Sequence, residues 1–144
     1  TIPQAHLEQT KLLGEGGFGK VYAGFWKPTA LVKTAVAIKQ LTLSQFSTRA
    51  INAFESEVKV HAQLDSPYIV KLYGVSFEQP YCLVMELMEN GPLDRFLQQR
   101  DLTEVSWTMR IELARGIAKG LHYLHSQLPP IIHGDLKSMN VLLD

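Results

Sequence analysis

Residues 14–26, GEGGFGKVYAGFW, place a glycine-rich run directly before a segment that alternates with a period of two. The alternation extends from Lys20 to Trp26 and predicts a β-strand. A dinucleotide-binding fingerprint requires a strand before its glycines and a helix after them. The strand after Gly19 therefore argues against a Rossmann unit and favours a glycine-rich flap over a triphosphate.

The glycines of this run are suited to phosphate binding. At Gly14, Gly16 and Gly19 no Cβ keeps the backbone N–H groups away from phosphate oxygens. An ordinary glycine-rich hairpin turn has the same composition, however. From this run alone, the phosphate flap and the plain turn are equally good interpretations.

The composition is that of an ordinary globular protein, with 144 residues, 46% of them hydrophobic, and a formal net charge of zero. That length suits one domain or part of a larger one. There is no basic excess to predict nucleic-acid binding, and no run of about 18 apolar residues to predict a membrane span in this segment. The single cysteine, Cys82, excludes an internal disulfide and fits a reducing compartment, which predicts a cytoplasmic location. The sequence does not indicate the oligomeric state.

Strand patterns dominate the first part of the chain and helix patterns the second. The further elements predicted are strand 34–41, helix 44–65, strands 68–77 and 81–88, a short helix after 90–91, and helix 107–125. They predict an α+β fold of two unequal lobes, residues 1–87 and 88–144. The first lobe is expected to hold an antiparallel sheet and one helix, and the second to be mostly helical.

Some local details are predicted as well. Ser106 is a plausible N-cap for the long helix, and Gly120 within that helix is expected to permit close packing against a neighbour. Residues 27–33 predict a connection that is somewhat long for a hairpin. Residues 131–143 predict a strand, a loop and a second strand.

Lys39 ends the stretch VAIK and is a candidate phosphate ligand. Ala37 lies two residues before it, so both side chains leave the same face of the predicted strand. The small alanine leaves room for a flat apolar base, and the lysine offers a cation to its phosphates. The alternative is an exposed lysine on an edge strand.

A partly buried lysine calls for a nearby carboxylate, because an unpaired buried charge is costly. The predicted helix offers Glu55 and Glu57. Glu57 is on the inward stripe, three residues after Phe54, whereas Glu55 lies four residues after Ile51. Periodicity does not decide between them, and either could be a solvated surface acid.

The stretch HGDLKSMN, residues 133–140, holds a carboxylate, a lysine and an amide within one short turn. Asp135, Lys137 and Asn140 are the residue types that handle a proton, a phosphate and a metal ion. His133 is expected to be a buried, hydrogen-bonded histidine without a role in proton transfer.

Taken together, GEGGFGKVY, VAIK and HGDLKSMN occur in the order typical of eukaryotic protein kinases, which the chain resembles from about Leu12 to Leu143. The stretches WTMRIELARGIAKGLHYLH and PPIIHGDLKSMNVLL look most like the tyrosine-kinase-like group. The resemblance implies the N-terminal part of a kinase domain, because an Asp-Phe-Gly element would follow in a family member. It therefore implies a truncated two-lobed kinase fold, and we expect these 144 residues alone to be inactive.

The resemblance implies an ATP site. Its residues would be Gly14, Glu15, Gly16, Gly17, Gly19, Val21, Ala37, Lys39, Glu57, Met85, Glu86, Met88 and Leu142. Lys39 would hold the α- and β-phosphates with Glu57 as its partner, and Met85 would guard the rear pocket. Backbone groups of Glu86 and Met88 would bond the adenine edge.

The resemblance also implies the catalytic roles. Asp135 would accept or orient the proton of a substrate hydroxyl, Lys137 would offset the charge of the transferred phosphoryl group, and Asn140 would help to hold Mg²⁺. The usual arginine before the aspartate is Gly134 here, which puts control through a phosphorylated activation loop in doubt. The sequence DLK at this point implies serine/threonine protein substrates. The alternative is a pseudokinase or scaffold that binds nucleotide without phosphotransfer.

Overall fold

The structure is a computed structural model that describes residues 1–16, 19–41, 48–101 and 103–144. The chain divides into two compact units, the first formed by Thr1–Asp65 with Lys71–Leu87 and the second by Ser66–Val70 with Met88–Asp144. The strands and helices are β1 (Leu7–Gly16), β2 (Gly19–Thr29), β3 (Val32–Leu41), α1 (Thr48–His61), β4 (Leu72–Ser76), β5 (Cys82–Glu86), β6 (Gly91–Pro92), α2 (Leu93–Gln98), α3 (Trp107–His125) and β7 (Leu142–Leu143).

The first unit contains a five-stranded antiparallel sheet in the order β1-β2-β3-β5-β4, with α1 between β3 and β4 in the chain. One face of this sheet carries the hydrophobic core. Its buried members are Ile2, Val36, Ile38, Cys82 and Val84, and Leu7, Trp26 and Tyr73 pack against them. The predicted α+β class, with one helix beside an antiparallel sheet, is confirmed.

The expected long connection over residues 27–33 is wrong. Thr29 pairs with Val32, so β2 and β3 are joined by a two-residue turn. Pro28 suggested a loop because proline cannot donate to a sheet ladder. It is accommodated here because the pairing is irregular between Trp26 and Thr29, where a donor is not required.

In the second unit, α3 begins and ends as the sequence predicts. Ser106 is its N-cap, and the Ser106 Oγ accepts a hydrogen bond from the Met109 N–H at 3.2 Å. Gly120 packs closely, since a Cβ there would lie 3.0 Å from the backbone oxygen of Tyr68. No helix in the described ranges is both long and apolar enough to cross a bilayer.

The strand predicted at the start of residues 131–143 is wrong. Residues 131–137 form no strand, and a 3₁₀ turn at Ser138–Asn140 leads into β7, which pairs with β6. The two preceding prolines have no N–H groups for a ladder. The Ile131 N–H donates to the Leu124 carbonyl at 3.0 Å, so the start of this segment is tied to the last turn of α3 and not to a neighbouring strand.

Candidate active site

The glycine run forms the β1–β2 hairpin of the first unit, and Gly16 pairs with Gly19 at its end. Gly19 has a φ of +130°, and a Cβ there would lie 1.9 Å from the Gln40 carbonyl oxygen. Any side chain at Gly19 would therefore clash with β3. A Cβ at Gly14 or Gly16 would meet no heavy atom of the described residues within 4 Å, so the backbone there is open to a ligand. Gly17 lies outside the described residues.

Pairing across the sheet brings several candidate residues to one face. Val21 is opposite Gly14 on one side and Lys39 on the other, and Ala37 is opposite Met85. Directly opposed residues in an antiparallel sheet share a face, and so do Ala37 and Lys39, which lie two apart. These five residues therefore share one face, and the core residues Val36 and Ile38 lie on the other. Glu15 lies on the hairpin and forms an exposed ion pair with Lys20 at 3.3 Å.

Lys39 is half-buried, but no ion pair joins it to Glu57 in the described part of the chain. Glu57 is exposed, whereas Glu55 is half-buried and lines a cavity of about 520 Å³ with Val58 and Tyr73. The predicted inward position of Glu57 is therefore wrong. At about 100° per residue, Glu57 falls about 40° outside the half-buried stripe of α1, whereas Glu55 lies within it. The pairing of Lys39 with Glu57 stays a prediction.

The candidate catalytic residues lie together in the second unit. The Asn140 Nδ2 donates to the Asp135 backbone oxygen at 2.8 Å and to its Oδ2 at 2.9 Å. The Lys137 Nζ lies 3.0 Å from the same Oδ2. The hydrogen bond from Lys137 and, next, that from Asn140 lower the pKa of Asp135 below its ordinary value, so the carboxylate is ionised at neutral pH.

The residues before Asp135 form a tight turn. Gly134 has a φ of +75°, a left-handed conformation that favours glycine. Across this turn the Asp135 N–H donates to the His133 Nδ1 at 3.3 Å. His133 is hydrogen-bonded as expected but exposed, so its predicted burial is wrong. Because it accepts from the backbone of Asp135, His133 helps to fix the direction in which the carboxylate leaves the chain.

A family profile for protein tyrosine and serine/threonine kinases matches residues 7–144. The chain belongs to this protein kinase family. Its relatives include a probable serine/threonine-protein kinase, pats1, of Dictyostelium discoideum, 39% identical over 99% of this chain and 5% of the relative. The dual specificity protein kinase splA of the same organism is 39% identical over 96% of the chain and 6% of the relative. The probable serine/threonine-protein kinase PBL28 of Arabidopsis thaliana is 42% identical over 92% of the chain and 36% of the relative.

The match covers nearly all of the chain but only 5 to 36% of the length of these relatives. The predicted kinase family and kinase fold are confirmed by the profile and by these relatives. The tyrosine-kinase-like group stays a prediction.

Three hydrogen bonds that the sequence did not predict hold the segment after Asn140 in place. The Leu93 N–H donates to the Val141 carbonyl at 2.8 Å, and the Asn90 N–H donates to the Leu143 carbonyl at 3.1 Å. The Asn90 Nδ2 also donates to the Asp144 backbone oxygen at 2.7 Å. The start of α2 therefore anchors the residues that follow Asn140. Leu142, a predicted adenine contact, is exposed and pairs with Pro92.

A second missed contact lies at the end of β5. The Glu86 N–H donates to the Lys71 carbonyl at 2.9 Å, and the Lys71 N–H donates to the Glu86 Oε2 at 3.3 Å. Glu86 is thus fixed through both its backbone and its side chain. In the second unit, the Met88 carbonyl accepts a hydrogen bond from the Gly91 N–H at 3.2 Å.

Proposed function

We propose that the protein is an ATP- and Mg²⁺-dependent protein kinase that transfers the γ-phosphoryl group to serine and threonine hydroxyls. The observation that carries the proposal is the arrangement of Asp135, Lys137 and Asn140, in which one ionised carboxylate bonds both a cation and an amide. Phosphoryl transfer needs mostly placement and charge neutralisation. These three side chains supply both.

The proposed role of Asp135 follows from its charge. A carboxylate whose pKa is lowered by Lys137 and Asn140 is a weak base, so its main work is to orient the attacking hydroxyl and to accept its proton late. Lys137 lies beside Asp135 and would offset the charge that develops on the transferred group.

The donor set fits a magnesium ion in part. Because the Asn140 Nδ2 is directed at Asp135, the amide Oδ1 remains as an oxygen donor of the kind that Mg²⁺ prefers. When bound, the ion neutralises phosphate charge. The described residues contain no group of three or more His, Cys, Asp or Glu that could hold a metal. We propose that the 144 residues on their own are inactive, because Asn140 supplies one oxygen donor and Mg²⁺ needs several.

ATP binding is proposed for the first unit. The open backbone at Gly14 and Gly16 suits phosphate oxygens, and the small Ala37 beside Lys39 leaves space for a flat base. The Glu86 N–H is already bonded to Lys71, so of the two Glu86 backbone groups the carbonyl is proposed to accept from adenine. Pairing of Lys39 with Glu57 is proposed for the active state.

The proposal of serine/threonine specificity rests on the DLK sequence at residues 135–137 and on the names of the three relatives. Two of those names describe a probable serine/threonine-protein kinase, and the third describes a dual specificity protein kinase. Protein substrates follow from the family. A cytoplasmic location is proposed only from the single cysteine, Cys82.

The second candidate is a pseudokinase or scaffold that binds nucleotide without transfer. The observation that favours it is the lack of an ion pair between Lys39 and either Glu55 or Glu57 in the described residues. Nucleotide binding without transfer by the wild-type protein would support this candidate.

The test uses the full-length protein, radiolabelled γ-phosphate and dephosphorylated casein, followed by phosphoamino-acid analysis. We expect phosphoserine and phosphothreonine from the wild type and none from Asp135→Asn or Lys39→Met. Asp101→Asn is the matched control, because Asp101 is an exposed carboxylate outside the site. Undiminished transfer by both site variants, or phosphotyrosine as the main product, would contradict the proposal.

A further inference from the structure

The turn between β2 and β3 exposes an apolar side chain at its apex. Leu31 is 97% exposed, and the adjacent Val32 is 47% exposed. Thr29 pairs with Val32 directly below the turn, so the sheet ladder holds Leu31 at the end of a fixed hairpin. A leucine that is rigidly placed in solvent makes no contribution to the core of its own unit.

Two lysines flank this apex, one on each strand. Lys27 forms an ion pair with Glu8, and the Lys33 Nζ lies 3.7 Å from the centroid of the Phe25 ring. Both ammonium groups are therefore held behind the turn, toward the paired residues Phe25 and Glu8. Since Glu8 offsets one of the two lysines, the two lysines keep an excess of one positive charge.

A cavity of about 480 Å³ lies at the same end of the sheet. It is lined by both lysines together with His6, Thr29 and Val32. Ammonium groups and a hydroxyl are the donors that hold a phosphate oxygen. The cavity therefore lies directly behind the apolar apex and is lined by donors for an anion.

An apolar apex with cations behind it matches the layers of an anionic membrane surface, in which acyl chains lie beneath charged headgroups. A protein partner fits less well, because a stable protein interface buries about 800 Å² on each side. The apolar side chains at this turn are only Ala30, Leu31 and Val32.

We propose that the β2–β3 hairpin docks on anionic phospholipid surfaces, with Leu31 inserted at the boundary of the acyl chains and a lipid phosphate held by Lys27 and Lys33. One leucine and one excess charge give weak, reversible attachment, so the hairpin acts together with other contacts of the whole protein. The inference does not depend on phosphotransfer and can fail while the proposed function stands.

The test is flotation of the full-length protein with vesicles of phosphatidylcholine alone or with about one third phosphatidylserine. We expect the bound fraction to rise with phosphatidylserine and to fall at high salt. Leu31→Ser is expected to weaken the partition coefficient about 10-fold, and Lys33→Gln about 5-fold.

Matched controls lie elsewhere in the chain. Leu128, in the second unit, is 95% exposed, so Leu128→Ser removes an equally exposed leucine. Lys59→Gln removes an exposed lysine on α1. Both controls are expected to bind vesicles like the wild type.

Three outcomes would overturn the inference. One is equal binding by Leu31→Ser and Leu128→Ser. Another is inorganic phosphate binding that depends on Lys33 without any vesicle association, which would mean an anion site alone. The third is that the protein binds a phosphorylated peptide through Lys27 and Lys33 but binds no vesicle. That result would assign the hairpin to a protein partner.

Discussion

Gly24, in the middle of β2, is a position where one added methyl group should open the sheet. A Cβ at Gly24 would lie 2.2 Å from the Glu8 carbonyl oxygen and 2.8 Å from the Ile38 Cδ1. Ordinary van der Waals contacts between such heavy atoms begin at about 3.4 Å. The Ile38 side chain could shift, but the Glu8 oxygen belongs to the β1 backbone, so Gly24→Ala must displace β1 by about 1 Å or more.

The cost can be approximated from this geometry. Overpacking of a buried site costs about 1–3 kcal/mol, and each ladder hydrogen bond lost adds about 1 kcal/mol. We therefore expect Gly24→Ala to lower the free energy of opening of the first unit by about 3 kcal/mol, which makes amide exchange there about 100-fold faster. Hydrogen exchange with mass spectrometry on the full-length protein measures this for peptides that cover residues 7–41.

Gly116 provides the matched control for the same chemical change. It lies in the middle of α3, and a Cβ there would meet no heavy atom of the described residues within 4 Å outside the helix's own backbone. Alanine favours a helix over glycine by about 1 kcal/mol, so Gly116→Ala should slow exchange in residues 107–125 about 5-fold. The reasoning is refuted if Gly24→Ala changes exchange in residues 7–41 by less than about threefold, or if both variants change exchange in the same direction.

Three further predictions concern the candidate site. Lys137→Met removes the largest cause of the low pKa of Asp135, so a carboxyl NMR titration should show that pKa rising toward 3.8. In the wild type, the stabilisation that comes from the lowered pKa is present above pH 3.8 and is lost as the pH falls through the folded-state pKa. An unchanged pKa in the variant would contradict the assignment. Gly19→Ala places a Cβ 1.9 Å from the Gln40 backbone oxygen, so it should destabilise the β1–β2 hairpin by about 2 kcal/mol. The variant should also bind a fluorescent ATP analogue more weakly, and unaltered affinity would count against the proposed ATP site. Gly134→Ala forces a side chain into a φ of +75°, so it should cost about 1–2 kcal/mol in thermal unfolding, whereas no loss would mean that the turn relaxes freely.

Much of the second unit could be predicted because its signals are local. Ser106 and the apolar spacing set both ends of α3, since a cap and a periodic stripe act within a few residues. Asp135, Lys137 and Asn140 likewise lie within six residues of sequence, and the structure places them in contact. The sequence therefore predicted this part of the candidate site without knowledge of any long-range contact.

The features that the sequence did not predict depend on residues far apart in the chain. Ile2 joins the core because its N–H donates to the Val75 carbonyl, a contact across more than 70 residues that no periodicity reports. Asn90 and Glu86 anchor neighbouring segments through hydrogen bonds to the backbone of those segments, and backbone partners leave no trace in side-chain patterns. The β2–β3 turn was missed because Pro28 normally marks a loop, and only the irregular pairing explains its presence in a strand.

The candidate residues of the two units differ in what sets their charges. Asp135 is 66% exposed and Lys137 is 50% exposed, and partners within the same loop lower the pKa of Asp135, whereas burial acts in the opposite direction. Lys39, in contrast, is half-buried on β3, and its pairing with a carboxylate of α1 stays a prediction. Asp135 has its counter-ion and its hydrogen-bond donor within six residues, so a local sequence pattern is enough to predict its ionisation. The partner of Lys39 lies on another element, so tertiary packing decides it and a local pattern does not predict it.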